Sequence, residues 1–243
     1  YEVVVVMDQK DWKGPAGEAI KSELASSVPG LPQAEPSLKI TYVQPKDFTG
    51  LLRYVRNILV VTIDPTAYTK VSVGYENNVW ARGQVVVSLK APNTESIVEY
   101  SKTHEKALVN FFVKVEMNRA IEQLQKEYSM VVMDNLKSDL NVMLNAPANF
   151  TYYKDTTDFF WSSNNANTGR MDLIVYTFPY TDPNTFTEEY LVAKRDSVLK
   201  ANLPGSFPGS YMQTETRAGV EYTPITLNLS LIHISEPTRL RRI

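Results

Sequence analysis

Apolar and polar positions along the chain sort into short β-branched runs and longer stripes at helical spacing. Val3–Met7 is a continuous apolar run ending at Asp8, the pattern of a strand buried on both faces. Gly14-Pro15-Ala16-Gly17 follows, and Glu18–Ser27 then carries Ala19, Ile20 and Leu24 at helical spacing. Pro15 suits a first helical turn, where its missing N–H would have no partner anyway. Val28-Pro-Gly-Leu-Pro-Gln33 stops that helix, because two prolines around a glycine cannot continue it. Leu38–Val43 alternates as a strand, Phe48–Tyr54 predicts a short helix, and Ile58–Ile63 is a second buried-type run. That order implies crossovers and partly parallel pairing. Val85–Leu89 adds a strand stopped by Ala91-Pro92-Asn93.

From Thr94 to about Tyr128 runs the strongest helical pattern, with Ile97, Tyr100, His104, Leu108, Phe111 and Val115 on one stripe and a break expected near Asn118. Met133–Leu144 predicts another helix, ended by Pro147. Phe159–Ser162 and Met171–Phe178 read as strands joined by the polar loop Ser163–Gly169. Pro183-Asn-Thr185 opens a helix to about Ala201, with Thr185 and Glu188 spaced as a capping box. The tripeptide Pro92-Asn-Thr94 stands in the same place in the first half, an echo best read as chance.

These elements predict an α/β to α+β architecture, a mixed sheet with helices mainly on one face. The expected divisions are an N-terminal αβ domain over 1–148 and a second, truncated αβ half over 149–228. Residues 229–243 resemble one reading frame of a sequencing adapter, so they are expected to be read-through; without them His104 is the last histidine. No signal sequence precedes Tyr1, so any targeting segment is expected upstream.

Composition narrows the chemistry. The chain has 243 residues, 43% of them apolar, and a formal net charge of −2, which gives no basic surplus for nucleic acid. It has no cysteine, which removes thiol nucleophiles, disulfides and Cys-ligated metals. His104 has no triad partner and no second ligand at helical spacing, and it reads as a packed histidine on the apolar stripe. Gly14-x-x-Gly17 lacks the third glycine of a dinucleotide fingerprint and the lysine of a P-loop, so a structural turn is expected. Asn164, Asn165, Asn167 and Gly169 lack the carboxylates of a calcium loop and read as a left-handed turn. No cofactor and no metal site are expected.

Two groups of side chains remain. Asp8 and Asp11 follow the first strand, where open α/β sheets bind ligands, and are the catalytic candidates; helix capping is the plainer role for such an aspartate. Asp155 and Asp158 form a similar pair beside Phe159-Phe-Trp161. Trp12, Trp161 and Tyr180 are candidate ligand contacts, with Trp12 alternatively covering the sheet edge. Glu116 and Arg119 are spaced to pair on a helix surface; if buried, they would order the core rather than catalyse.

Tyr1–Asp8 with Trp12, Pro29-Gly-Leu-Pro-Gln33, Arg56-Asn-Ile58, Glu116-Met-Asn-Arg119 and Asp158-Phe-Phe-Trp161 together resemble a family of Bacteroidetes envelope lipoproteins, domain of unknown function 4837. The resemblance implies a lipidated cysteine upstream of Tyr1, a periplasmic or surface location, and membrane attachment only through that anchor. It brings no activity or catalytic residue. It also suggests O-glycosylation at Asp155-Thr-Thr157 and Asp196-Ser-Val198. The leading expectation is therefore an envelope-tethered, non-enzymatic domain that binds a protein, peptide or glycan through exposed aromatics. The alternatives are a carboxylate-based glycan hydrolase using Asp8 or Asp11, and a structural subunit of an envelope assembly.

Overall fold

The computed structural model describes residues 1–31, 33–217, 219, 220 and 222. The tail expected to be read-through, 229–243, lies outside them. The chain divides into two compact units, one of Tyr1–Val28 with Ala34–Ile121, the other of Pro29–Gln33 and the chain from Glu122 onward. Together they make a mixed α/β fold, as the pattern of runs and stripes predicted.

The first unit is a five-stranded sheet in the order β2-β1-β3-β5-β4. Its strands are β1 (Glu2–Val6), β2 (Lys39–Val43), β3 (Asn57–Ile63), β4 (Ser72–Asn77) and β5 (Val85–Ala91). β1 pairs in parallel with β2 and β3, and β3 with β5, while β4 runs antiparallel to β5 at the edge. Between strands lie α1 (Gln9–Trp12), α2 (Pro15–Leu24) and short 3-10 turns at Pro45–Asp47 and Gly50–Tyr54; α3 (Thr94–Thr103) and α4 (Ala107–Lys126) follow β5. Alternation fixes the faces. Val3, Val5, Leu59, Val61, Val85, Val87 and Leu89 meet Ile20 and Leu24 of α2, Ile97 of α3 and Leu108, Val109 and Phe112 of α4. Val4, Val6, Val43, Ile58 and Val86 point the other way, where Phe48, Leu52 and Val55 pack against them. The helices thus pack on one face, and each large side chain fully buried there contributes roughly 1.5–3 kcal/mol.

Two elements differ from expectation. The long helix is two helices: α3 ends at Thr103, His104 is its C-cap, and Lys106 takes a left-handed φ of 60°. The apolar stripe runs through the corner because both helices pack on the same sheet face, and no glycine or proline marks the break. His104 is exposed, not packed: its Nδ1 lies 2.9 Å from Thr103 Oγ1 and its ring stacks on Tyr100. β4 is the other surprise. All six of its residues are exposed, so no alternation announces it; its pairing with β5 makes it a strand.

The Gly14–Gly17 turn is structural. A Cβ on Gly17 would stand 2.0 Å from the Trp12 carbonyl oxygen, so only glycine lets α2 start this close to α1.

The second unit is a three-stranded antiparallel sheet, β6 (Tyr152–Thr156), β7 (Phe159–Ser163) and β8 (Asp172–Tyr176), in the order β6-β7-β8. The helix expected over Met133–Leu144 is α5 (Met130–Leu140), opened by Ser129, whose hydroxyl accepts from the Val132 N–H, and closed by Asn141 at φ 53°. Val132 and Leu136 of α5 share a core with Phe150 and Phe160. In the β7–β8 loop, Asn165 and Gly169 are left-handed, and Asn164 Oδ1 accepts from the Ala166 and Met171 N–H groups. α6 (Glu188–Asn202) is capped by Thr187, not by Thr185. Thr185 is buried in a preceding 3-10 turn, Pro183–Phe186, whose cap is Asp182. Since Asn93 itself caps α3, the two Pro-Asn-Thr tripeptides play different parts. Among the described residues, no helix is long and apolar enough to cross a membrane.

Candidate functional site

The carboxyl ends of β1 and β2 gather the first candidates. Asp8 occupies the N-cap position of α1, and its backbone oxygen accepts from the Trp12 N–H at 2.9 Å, but its side chain makes no cap. The side-chain cap expected of an aspartate here is therefore not made. Asp8 is exposed and Asp11 half-buried. Trp12 covers the edge strand: its ring lies parallel to Tyr42 of β2 with centroids 4.7 Å apart, and Lys21 Nζ stands 4.4 Å from the ring centre. The Tyr42 hydroxyl is buried without a hydrogen-bond partner. Burial raises its pKa, and the charges of Asp8 and Asp47 add to that, so the phenol stays protonated as a donor. Neither Tyr42 nor Asp47 was singled out in the sequence, since nothing in their spacing connects them to Asp8.

A second constellation lies at the opposite edge of the same sheet. A pocket of about 210 Å³ is lined by Val73, Gly74 and Tyr75 of β4, Val87 of β5, Tyr100 of α3, and Ala107, Leu108 and Phe111 of α4. Its walls are apolar and aromatic. Tyr75 is 60% exposed and packs on Phe111 with centroids 5.0 Å apart. β4 beside it is an edge strand, so on its outer side it presents backbone N–H and C=O groups that no described strand pairs. Natural edges are commonly blunted by proline, lysine or a bulge, and Ser72–Asn77 contains neither proline nor lysine.

Behind the pocket wall sits Glu23. One carboxylate oxygen accepts from the Leu108 N–H at 2.8 Å, tying α2 to the first turn of α4. The other is buried without a partner, as is Ser101 Oγ. Burial raises the Glu23 pKa; the Leu108 N–H, the nearby Ser101 hydroxyl and His104 pull it back. Tyr100 is raised as well, by burial and then by Glu23. Two displaced groups therefore lie together, and of the two only Tyr100 lines the cavity, where Tyr75 is the other phenol.

Glu116 and Arg119 do not form the simple surface pair that their spacing permits. Glu116 is 4% exposed, and its Oε1 accepts from Asn57 Nδ2 at 2.7 Å and from Arg119 Nη1 at 2.8 Å. Asn118 takes no part in these bonds. The cluster ties α4 to the amino ends of β1 and β3, away from either candidate site.

In the second unit, Trp161 is half-buried, donates from Nε1 to Asp172 Oδ1 at 3.1 Å, and lies under the Arg170 guanidinium. Tyr180 is 63% exposed and stacks on Phe186. Asp155 does not pair with Asp158. Burial, and then the neighbouring Asp139 of α5, raises the Asp155 pKa, whereas the Ser138 hydroxyl, and then Asp155, lowers that of Asp139. Thr156 and Ser197, of the two Asp-Thr/Ser tripeptides, are exposed. Among the described residues, no three His, Cys, Asp or Glu side chains are grouped to hold a metal ion.

The model of domain of unknown function DUF8532 matches residues 1–125. The chain belongs to this family. The DUF8532 region holds β1 through nearly all of α4, and with it both constellations of the first sheet. Residues 129–233 match domain of unknown function DUF4837. Of the five fragments that carried the resemblance to that second family, only Asp158-Phe-Phe-Trp161 falls within its match; the others fall in the DUF8532 region. No curated protein and no solved structure matches the chain.

Proposed function

We propose that this chain is a non-enzymatic binding domain that takes an extended segment of a partner protein along β4, with one apolar side chain of that segment seated in the Tyr75–Phe111 pocket. One observation carries the reading: an unprotected, fully exposed edge strand stands directly beside an apolar cavity between strand and helix. Strand addition supplies affinity through main-chain hydrogen bonds, and a pocket for an alternate side chain supplies selectivity. The expected contact through aromatics is thus centred on Tyr75, Tyr100 and Phe111. Trp12 is engaged by Tyr42 and Lys21, while Trp161 and Tyr180 belong to the second unit.

A displayed peptide library selected on the full chain tests this. Selected peptides should carry a large apolar residue and slow amide exchange at 72–77, and Val73→Arg should weaken them about tenfold or more. Protection at Tyr180 or Trp161 instead, with 72–77 unchanged, would overturn the proposal.

The cell-envelope setting is part of the same proposal and is supported by the resemblance to envelope lipoproteins. Metabolic labelling of the full-length protein with a fatty acid tests it; an unlabelled protein in the cytosolic fraction would refute it.

A second reading, a carboxylate-based glycan hydrolase at Asp8 and Asp11, draws support from the partnerless Tyr42 hydroxyl under the influence of Asp8 and Asp47. It requires turnover of glycoside substrates that Asp8→Asn abolishes.

A further inference from the structure

The thinly covered face of the first sheet ends in a tip built from two segments. Gly50–Tyr54 is a 3-10 turn, in which residues three apart share a side. Leu52 and Val55 face the sheet core, which leaves Leu51 and Tyr54 on the outer side, 86% and 60% exposed. The loop between β4 and β5 is bound to this turn by Gln84, which is itself buried. Its Nε2 donates to the Arg53 and Val55 carbonyls at 2.7 Å each, and its Oε1 accepts from the Trp80 N–H at 3.0 Å. Trp80 therefore stands beside the turn, edge-on to Phe48 and under the Arg53 guanidinium.

Gln84 joins the two segments, whose exposed large apolar side chains are Leu51, Tyr54, Val79 and Trp80. The charges of that surface run against those of the chain. The net formal charge is −2, yet residues 50–56 and 78–84 carry Arg53, Arg56 and Arg82 and no acidic residue, Arg56 standing 3.5 Å from Glu116 Oε2. A protruding leucine on a turn that also carries a tyrosine and an arginine, tied to a loop with a tryptophan and a second arginine, has the composition of a segment that enters the boundary between headgroups and acyl chains.

We propose that this tip docks the first unit on a lipid surface bearing anionic headgroups, Leu51 entering the acyl boundary and Arg53 and Arg82 meeting the phosphates. The contact is made by folded side chains and needs no anchor. It lies on the sheet face opposite the Tyr75–Phe111 pocket wall, so it neither depends on the peptide reading nor competes with it.

Co-sedimentation of the full chain with vesicles of phosphatidylglycerol and phosphatidylethanolamine, and separately of phosphatidylcholine alone, tests the proposal. The protein is expected to partition to the anionic vesicles and to be released by salt. Arg82→Glu should weaken partitioning about fivefold or more, since each basic residue near an anionic surface is worth about that factor. Leu51→Asp should weaken it about tenfold. Both positions are exposed, and an unchanged thermal melt certifies that each variant is folded. Equal binding to both vesicle types, or binding that survives both substitutions, would overturn the proposal. So would absence of binding to the anionic vesicles; self-association that Leu51→Asp abolishes would then assign the tip to a second copy of the chain.

Discussion

Asn57 donates from Nδ2 to Glu116 Oε1 at 2.7 Å across 59 residues of chain, and the same amide also donates to the Glu2 carbonyl at 2.9 Å. One side chain thereby joins β3, β1 and α4. Arg119 closes the cluster by donating to Asn57 Oδ1 at 2.7 Å and to the Arg56 carbonyl at 3.2 Å, and Arg56 Nη2 stands 3.5 Å from Glu116 Oε2. No buried side-chain nitrogen or oxygen of the group is left without a partner, which is the condition for a buried charge to be tolerated.

Removing one member leaves the others desolvated and unpaired. Glu116→Ala is expected to cost about 3–5 kcal/mol of unfolding free energy, measured by urea titration. A cycle of Asn57→Ala with Arg119→Ala should show a coupling of about 0.5 kcal/mol or more; additive effects would mean that the three groups act independently.

Glu23 makes stability depend on pH in a predictable direction. Burial raises its folded-state pKa above the ordinary 4.5. The folded protein therefore holds this proton more tightly than the unfolded chain. The contribution is fully present below the unfolded pKa and is lost as pH rises through the folded one. Glu23→Gln keeps the shape and the acceptor for the Leu108 N–H without the charge. The variant should gain on wild type as pH rises from the acid range to neutrality, and a pH-independent difference would contradict the raised pKa.

Gly17→Ala should be strongly destabilising, at least about 1–3 kcal/mol, because its Cβ meets Trp12 backbone at 2.0 Å and backbone cannot rotate away. The Trp12–Tyr42 stack should loosen with it, seen as altered tryptophan emission. Gly14→Ala, whose nearest contacts are 3.5 Å away, should be milder.

The start of α6 gives a test of cap placement. Thr187 Oγ1 accepts from the Tyr190 N–H, so Thr187→Ala should cost about 1 kcal/mol. Thr185→Val, which keeps the buried shape, should leave helix content unchanged by circular dichroism.

Legibility in the sequence followed burial. The parallel strands were readable because Val3–Met7 and Ile58–Ile63 are covered on both faces, and α2 because Ile20 and Leu24 repeat at helical spacing. β4 could not be read, since all of its residues are exposed and only its pairing with β5, across a loop of seven residues, makes it a strand. The break at His104 was hidden because a shared sheet face keeps the apolar stripe in phase across the corner. Thr185 and Thr187 both fit an N-terminus, and only the chain path shows which hydroxyl meets a free N–H. At the strand end, Asp8, Asp11 and Trp12 were visible as a cluster, but Tyr42 and Asp47 were not.

By itself the sequence determined the class of fold, the face on which the helices lie, and the absence of cysteine chemistry, because composition and periodicity are properties of one dimension. The tertiary structure decided the open edge at β4, the pocket between Tyr75 and Phe111, the Leu51–Trp80 tip and the Asn57–Glu116 bond. Each of these depends on groups far apart in the chain becoming neighbours, and backbone pairing and side-chain convergence leave no periodic trace from which such neighbours can be read.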